Sequence, residues 1–221
     1  MGRRVEIAQA GRIIARDMAY APNHVTLLLV DMQRIWVEPG LDPDYPDASP
    51  DDYLYRELRE RVIPNQRRLL AAARAGGAQV VHTVIESLTE DGRDRSLDHK
   101  LSPIHVPKGS PLGRVIPELE PITNEIVLPK TSSGVFNSTA IDYVLTNLET
   151  RFLIVAGMVT DQCVDMAVRD AADRGYLVTL VHDACAAASA ERHESALRAL
   201  SGYCWTADTA TVVGRLAGLV Q

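Results

Sequence analysis

The chain is 221 residues long, a length that suits a single domain with a full core. Its 46% hydrophobic and 24% charged residues match a soluble globular protein, and no apolar run approaches the ~20 residues of a bilayer span. A net charge of −6 argues against a nucleic-acid partner, and three cysteines without paired spacing make no disulfide framework.

Cys185 and Cys204 read as core cysteines, so a reducing cytoplasm is the simplest compartment, and no apolar stretch of a signal peptide is expected after Arg3 and Arg4. Residues 1–24 read as an N-terminal arm carrying a short helix from about Ile7 to Met18, packed on the body or on a neighbouring subunit. Residues 25–221 read as one domain, without repeat, low-complexity tract or linker. Val25-Thr-Leu-Leu-Leu-Val30 is the first core strand and ends at Asp31-Met-Gln33. Trp36 and the Pro- and Asp-rich segment 42–52 form a long loop. A helix follows to about Ala75, with Pro64 placed to kink or divide it and Gly76-Gly77 to end it. Residues 78–85 form the second strand, with His82 inside it as a core histidine. The charged segment 86–111 is long for a plain connection and suits either a functional loop or a solvated surface loop.

Glu125–Lys130 is a short strand ending in lysine, followed by the hydroxyl-rich loop 131–139 and a helix to about Asn147. Phe152–Ala156 is continuously apolar, as a strand covered on both faces should be. Gly157 ends it, and Thr160 and Asp161 are good N-cap residues. From Cys163 the apolar positions Val164, Ala167, Val168 and Ala171 keep helical spacing. A strand over 176–181, a helix over 190–201, a short edge strand at Gly202–Trp205 and a closing helix over 209–220 complete the chain. This βα alternation predicts an α/β, three-layer, Rossmann-like fold with helices on both faces of a parallel sheet.

Cys163 in a first helical turn lies near unpaired N–H groups and the positive end of the helix dipole, which predicts a depressed thiol pKa and a nucleophile. A plain small core residue fits the same stretch. Asp31, Lys130 and Cys163 each fall at the end of a different strand, and in a parallel sheet those ends share one edge. Together they make chemical sense. Asp31 takes the thiol proton and passes it to a leaving amine, Lys130 keeps the acid charged, and Cys163 attacks a carbonyl.

The blocks Leu-Leu-Leu-Val-Asp31-Met-Gln33, Leu-Pro-Lys130 with Phe136-Asn-Ser-Thr139, and Gly157-Met-Val-Thr-Asp-Gln-Cys163-Val resemble the signatures of the isochorismatase-like cysteine hydrolases, from about Val25 onward. The resemblance implies a six-stranded, mostly parallel sheet and an Asp31-Lys130-Cys163 triad. It also implies a cis peptide at Met158–Val159 that turns the Val159 and Cys163 N–H groups into an oxyanion hole. Members that hydrolyse the vinyl ether of isochorismate usually lack the cysteine, so Cys163 favours C–N hydrolysis. Residues 42–47 contain no histidine and the strand end at Glu86 lacks the usual second one, so no metal and no cofactor are expected. The remaining members act on carbamoyl, ureido or small carboxamide substrates, releasing ammonia, and are commonly homodimers or homotetramers.

Substrate contacts are expected from Gln33, Asn137 and Ser138 by hydrogen bonding and from Trp36, Phe136 and Tyr203 as walls. A substrate carboxylate would be held by Arg93, with Arg95 and Lys100; pairing within the loop is the alternative for these three. Two readings compete with the amidohydrolase: an isochorismatase-type ether hydrolase, and a non-catalytic binding or redox-sensing protein on the same fold. A sensing protein has no need of both a lysine and an acid beside its thiol.

Overall fold

The computed structural model describes residues 6–9 and 12–219. A hairpin, β1 (Glu6–Gln9) and β2 (Arg12–Ala15), comes first. The main strands are β3 (Val25–Val30), β4 (Gln79–Ile85), β5 (Ile126–Lys130), β6 (Phe152–Met158), β7 (Leu177–Ala186) and β8 (Trp205–Ala207). They form a six-stranded sheet in the order β5-β4-β3-β6-β7-β8, with every pair parallel. The helices are α1 (Arg34–Val37), α2 (Tyr53–Glu57), α3 (Ile63–Ala75), α4 (Leu97–Leu101), α5 (Val135–Ser138), α6 (Ile141–Asn147), α7 (Cys163–Asp173), α8 (Ala190–Leu200) and α9 (Thr209–Ala217).

Every residue of β3 and β6 is buried, which requires cover on both faces of the sheet. Helix α3 packs with α9, and α7 packs with α5 and α8. The chain leaves β3 toward β4 and β5, then returns to β6 on the other side of β3. That reversal between β3 and β6 is where open α/β sheets leave a crevice at the carboxyl ends of their strands.

Four local expectations change, the simplest being that β7 runs on to Ala186 where the strand was expected to end at Val181. The arm carries a hairpin where a helix over 7–18 was expected; Ile7 pairs with Ile14 and Ala8 with Ile13. Pairing with a second strand overrides a weak helical period. The segment after it packs on the body: Tyr20 sits edge-on to Phe152 and donates to Thr179, and Arg215 donates to the carbonyls of Asp17 and Met18. The long helix is divided upstream of Pro64 by a π-turn over Leu58–Val62. Proline supplies no N–H and crowds the carbonyl four residues back, and the wider turn accommodates both effects. The last strand lies at Trp205–Ala207, after a turn at Gly202 and Tyr203 rather than across them. Among the described residues no helix is long and apolar enough to cross a membrane.

Candidate active site

At the crevice, Val30 of β3 pairs with Gly157 of β6. Gly157 has φ +138, and a Cβ there would stand 2.2 Å from the Val30 carbonyl oxygen. Only glycine lets the two strand ends approach this closely. The next residue, Asp31, turns out of β3 in the left-handed region at φ +56, which asparagine and aspartate tolerate better than other side chains. Its N–H donates to Thr83 O (3.1 Å), and its carbonyl accepts from Gln33 N–H (2.8 Å).

The carboxylate of Asp31 accepts from Thr83 Oγ1 at 2.9 Å. Strand β4 separates β5 from β3, so Lys130 has to reach across it. Its Nζ lies 2.9 Å from Asp31 Oδ2 and 3.4 Å from Cys163 Sγ, and it donates to the carbonyls of Ser132 (2.9 Å) and Ser133 (3.1 Å). Lys130 is 0% exposed, Asp31 2% and Cys163 6%, so the three charge-bearing groups meet out of bulk water. Burial pulls the Lys130 pKa down, but Asp31 and Cys163 outweigh it and the ammonium ends above its ordinary range.

The thiol departs from the sequence expectation. Burial, and then the Asp31 carboxylate, push Cys163 up to about 12 against the pull of Lys130. Taking the thiol out of water opposes its ionisation more strongly than the lysine favours it. Burial thus works against a resting thiolate at Cys163, which lies beside the Asp31 carboxylate and the Lys130 ammonium.

Cys163 opens α7 as expected, but its cap differs. Gln162 holds the N-cap position without a side-chain bond. Thr160 instead shares a hydrogen bond with His193 Nδ1 (2.8 Å), and Asp161 pairs with Arg192. The Met158–Val159 peptide is cis. The turn bonds Thr160 N–H to Ala186 O, and the N–H groups of Gln162 and Val164 to Val159 O. No such backbone bond is made by the N–H of Val159 or of Cys163 among the described residues.

A cavity of about 660 Å³ opens onto this group, with Asp31, Met158, Val159, Gln162 and Cys163 at its lining. Its volume accommodates a small organic molecule.

The family profile described as the isochorismatase domain matches residues 25–211. The chain belongs to the isochorismatase family. Among isochorismatase-family structures, it resembles a family protein from Desulfovibrio vulgaris subsp. vulgaris at 28% identity and a TM-score of 0.73, covering 88% of this chain and 98% of that one. A cysteine hydrolase from Pseudomonas syringae pv. phaseolicola shares the fold, with a TM-score of 0.79 at 24% identity over 91% of this chain and 96% of that one. By sequence it is 33% identical to streptothricin hydrolase from Streptomyces noursei over 72% of this chain, a match that spans only 52% of that protein. It is 26% identical to the ureidoacrylate amidohydrolase RutB of Acinetobacter baylyi over 94% of this chain and 91% of that protein.

Within this isochorismatase-family site, the expected substrate residues separate. Trp36 lines the cavity. Gln33 does not; its amide is spent on Ile85 N–H, Ile85 O and Gly113 O, fixing the ends of the strands. Arg93 is exposed on the surface and pairs with Asp91. Arg95 donates to the carbonyls of Gly92, His99 and Ile104, and Lys100 to that of Arg93, so the loop consumes its own cations. Phe136 is buried against Tyr176 and under the Arg174 guanidinium, outside the cavity. Asn137 is exposed on α5 and is not part of the lining. Tyr203 belongs to a second cavity with Ile7 and Tyr176. Sequence reasoning missed Asp42, Asp44, Asp47, Asp52, Tyr45, Tyr55 and Arg192, all of which line the first cavity. The Asp-rich run 42–52 was the available signal, since a charged loop next to Trp36 follows directly from the strand that delivers Asp31.

Proposed function

We propose that this protein is a cysteine-dependent amidohydrolase that cleaves the C–N bond of a small carboxamide, carbamoyl or ureido substrate and releases ammonia. The supporting observation is the contact of Cys163 Sγ, Lys130 Nζ and the Asp31 carboxylate at a cavity that fits a small molecule. A thiol pushed up to about 12 cannot act as a preformed thiolate. Asp31 therefore removes the Sγ proton as sulfur attacks the carbonyl carbon. Charge on the carbonyl oxygen is met by the N–H groups of Val159 and Cys163 at the start of α7. Collapse breaks the C–N bond, and Asp31 returns the proton to the leaving nitrogen, giving ammonia and a thioester. Water then attacks the thioester with Asp31 again as base, and the acid and free thiol are released. With a ureido substrate the acid is a carbamate, which loses carbon dioxide. Lys130 stays charged throughout and holds the carboxylate in place between sulfur and leaving group.

Relatives named for ureidoacrylate amidohydrolase and N-carbamoylsarcosine amidase support this reaction class. The test is ammonia release over a panel of ureido acids, carbamoyl amines and simple carboxamides. Wild type should release ammonia from at least one class, and Cys163→Ala should lose the activity by a factor of at least ~1,000. Release that survives in Cys163→Ala would refute the assignment.

A further inference from the structure

The lining of the active-site cavity is both acidic and aromatic. Asp42, Asp44, Asp47 and Asp52 line it together with Trp36 and Tyr45. None of these four carboxylates takes part in a salt bridge among the described residues. Asp42 accepts from the Asp44 N–H and Asp52 from the Ser49 N–H, which orders the loop without neutralising it. Among the described residues, Arg192 is the one cation in the lining, and its Nε pairs with Asp161. Burial raises the Asp42 pKa; the Asp44 N–H bond opposes this and the Asp44 charge adds a smaller push upward.

We propose that the substrate is an organic cation, an amide whose ammonium or guanidinium group lies at the end away from the scissile carbonyl, between the aspartates and the faces of Trp36 and Tyr45. This rests on the amidohydrolase reading and narrows it. An aromatic face attracts a cation through its quadrupole, and the carboxylates neutralise it. The same field draws cations into the cavity from solution and repels anions, an effect that salt weakens because the loop is exposed. Among the described residues of the lining, a substrate carboxylate finds no lysine and no arginine other than Arg192, whose Nε is paired with Asp161, and Arg93, Arg95 and Lys100 are engaged within their own loop. The aspartates form part of the wall of the same cavity that contains Cys163.

The test compares three amides of equal length: hexanamide, 6-aminohexanamide and the monoamide of adipic acid. At low salt, kcat/KM for 6-aminohexanamide should exceed that for hexanamide about tenfold, with the carboxylate compound below both. The preference should shrink toward unity in Asp44→Asn/Asp47→Asn and at high salt. Equal rates for the three, or a preference for the carboxylate, would overturn the proposal. A charge readout that needs no turnover keeps the two readings distinct. Cys163 is reacted with 2-aminoethyl and with 2-sulfonatoethyl methanethiosulfonate and followed at its own peptide by mass spectrometry. The ratio of the two rates, normalised to the unfolded chain, should favour the cationic reagent about tenfold. If none of the three amides releases ammonia, the ureido and carbamoyl panel decides the amidohydrolase reading, and this ratio alone decides the charge preference. A ratio no different from that of the unfolded chain overturns it.

Discussion

In the proposed reaction, Cys163 has to be deprotonated at the moment of attack. Its helix-start position argues for an acidic thiol, yet burial and the Asp31 carboxylate dominate and push it up to about 12. Desolvation opposes any charge on sulfur, whereas Lys130 offers only one of its contacts to it, the others going to Asp31, Ser132 and Ser133. A consequence follows for pH. The thiolate fraction of such a group rises about tenfold per pH unit well below its pKa. Iodoacetamide alkylation of Cys163 should accordingly climb from pH 7 to pH 9 without levelling. A plateau inside that window would show a depressed pKa and a resting thiolate.

At the scale of elements, the crevice depends on how closely β3 and β6 approach. Gly157 meets Val30 with no room for a side chain and in a conformation that L residues rarely adopt. Gly157→Ala should destabilise the protein by about 3 kcal/mol or more, combining steric overlap with an unfavourable φ. Urea unfolding of the variant measures this, and an unchanged midpoint would contradict the geometry. The strands themselves are legible in the sequence because β3 and β6 are buried on both faces and read as continuous apolar runs. Asp31, Lys130 and Cys163 are legible because a parallel sheet places its strand ends on one edge, whatever the loops do. The hairpin of the arm is not legible, since Ile7 and Ile14 reveal their strand character only when paired with each other. Nor are the walls of the cavity. Whether Arg93 or Asp44 faces the substrate depends on loop paths fixed by local bonds such as Arg95 to the Ile104 carbonyl, which have no periodic signature.

At the scale of the whole molecule, the sheet encloses a histidine that no reaction step uses. His82 on β4 is 0% exposed. Burial lowers its pKa from 6.5 to about 4, only partly offset by Glu125. The unfolded chain therefore takes up this proton first as the pH falls. The stability that neutral His82 provides is complete above about pH 6.5 and is lost progressively toward pH 4, to a total of about 3 kcal/mol. Urea midpoints should drop between pH 7 and pH 5 in the wild type and fall less steeply in His82→Leu; parallel pH profiles would exclude His82 as the cause. The architecture around it brings residues distant in sequence to one crevice, where the proposed reaction places the acyl group on Cys163. Hydroxylamine trapping during turnover tests this most directly. A thioester on Cys163 predicts acyl hydroxamate formed in step with ammonia by the wild type and none by Cys163→Ala. Ammonia released without hydroxamate, and undiminished in Cys163→Ala, would contradict it.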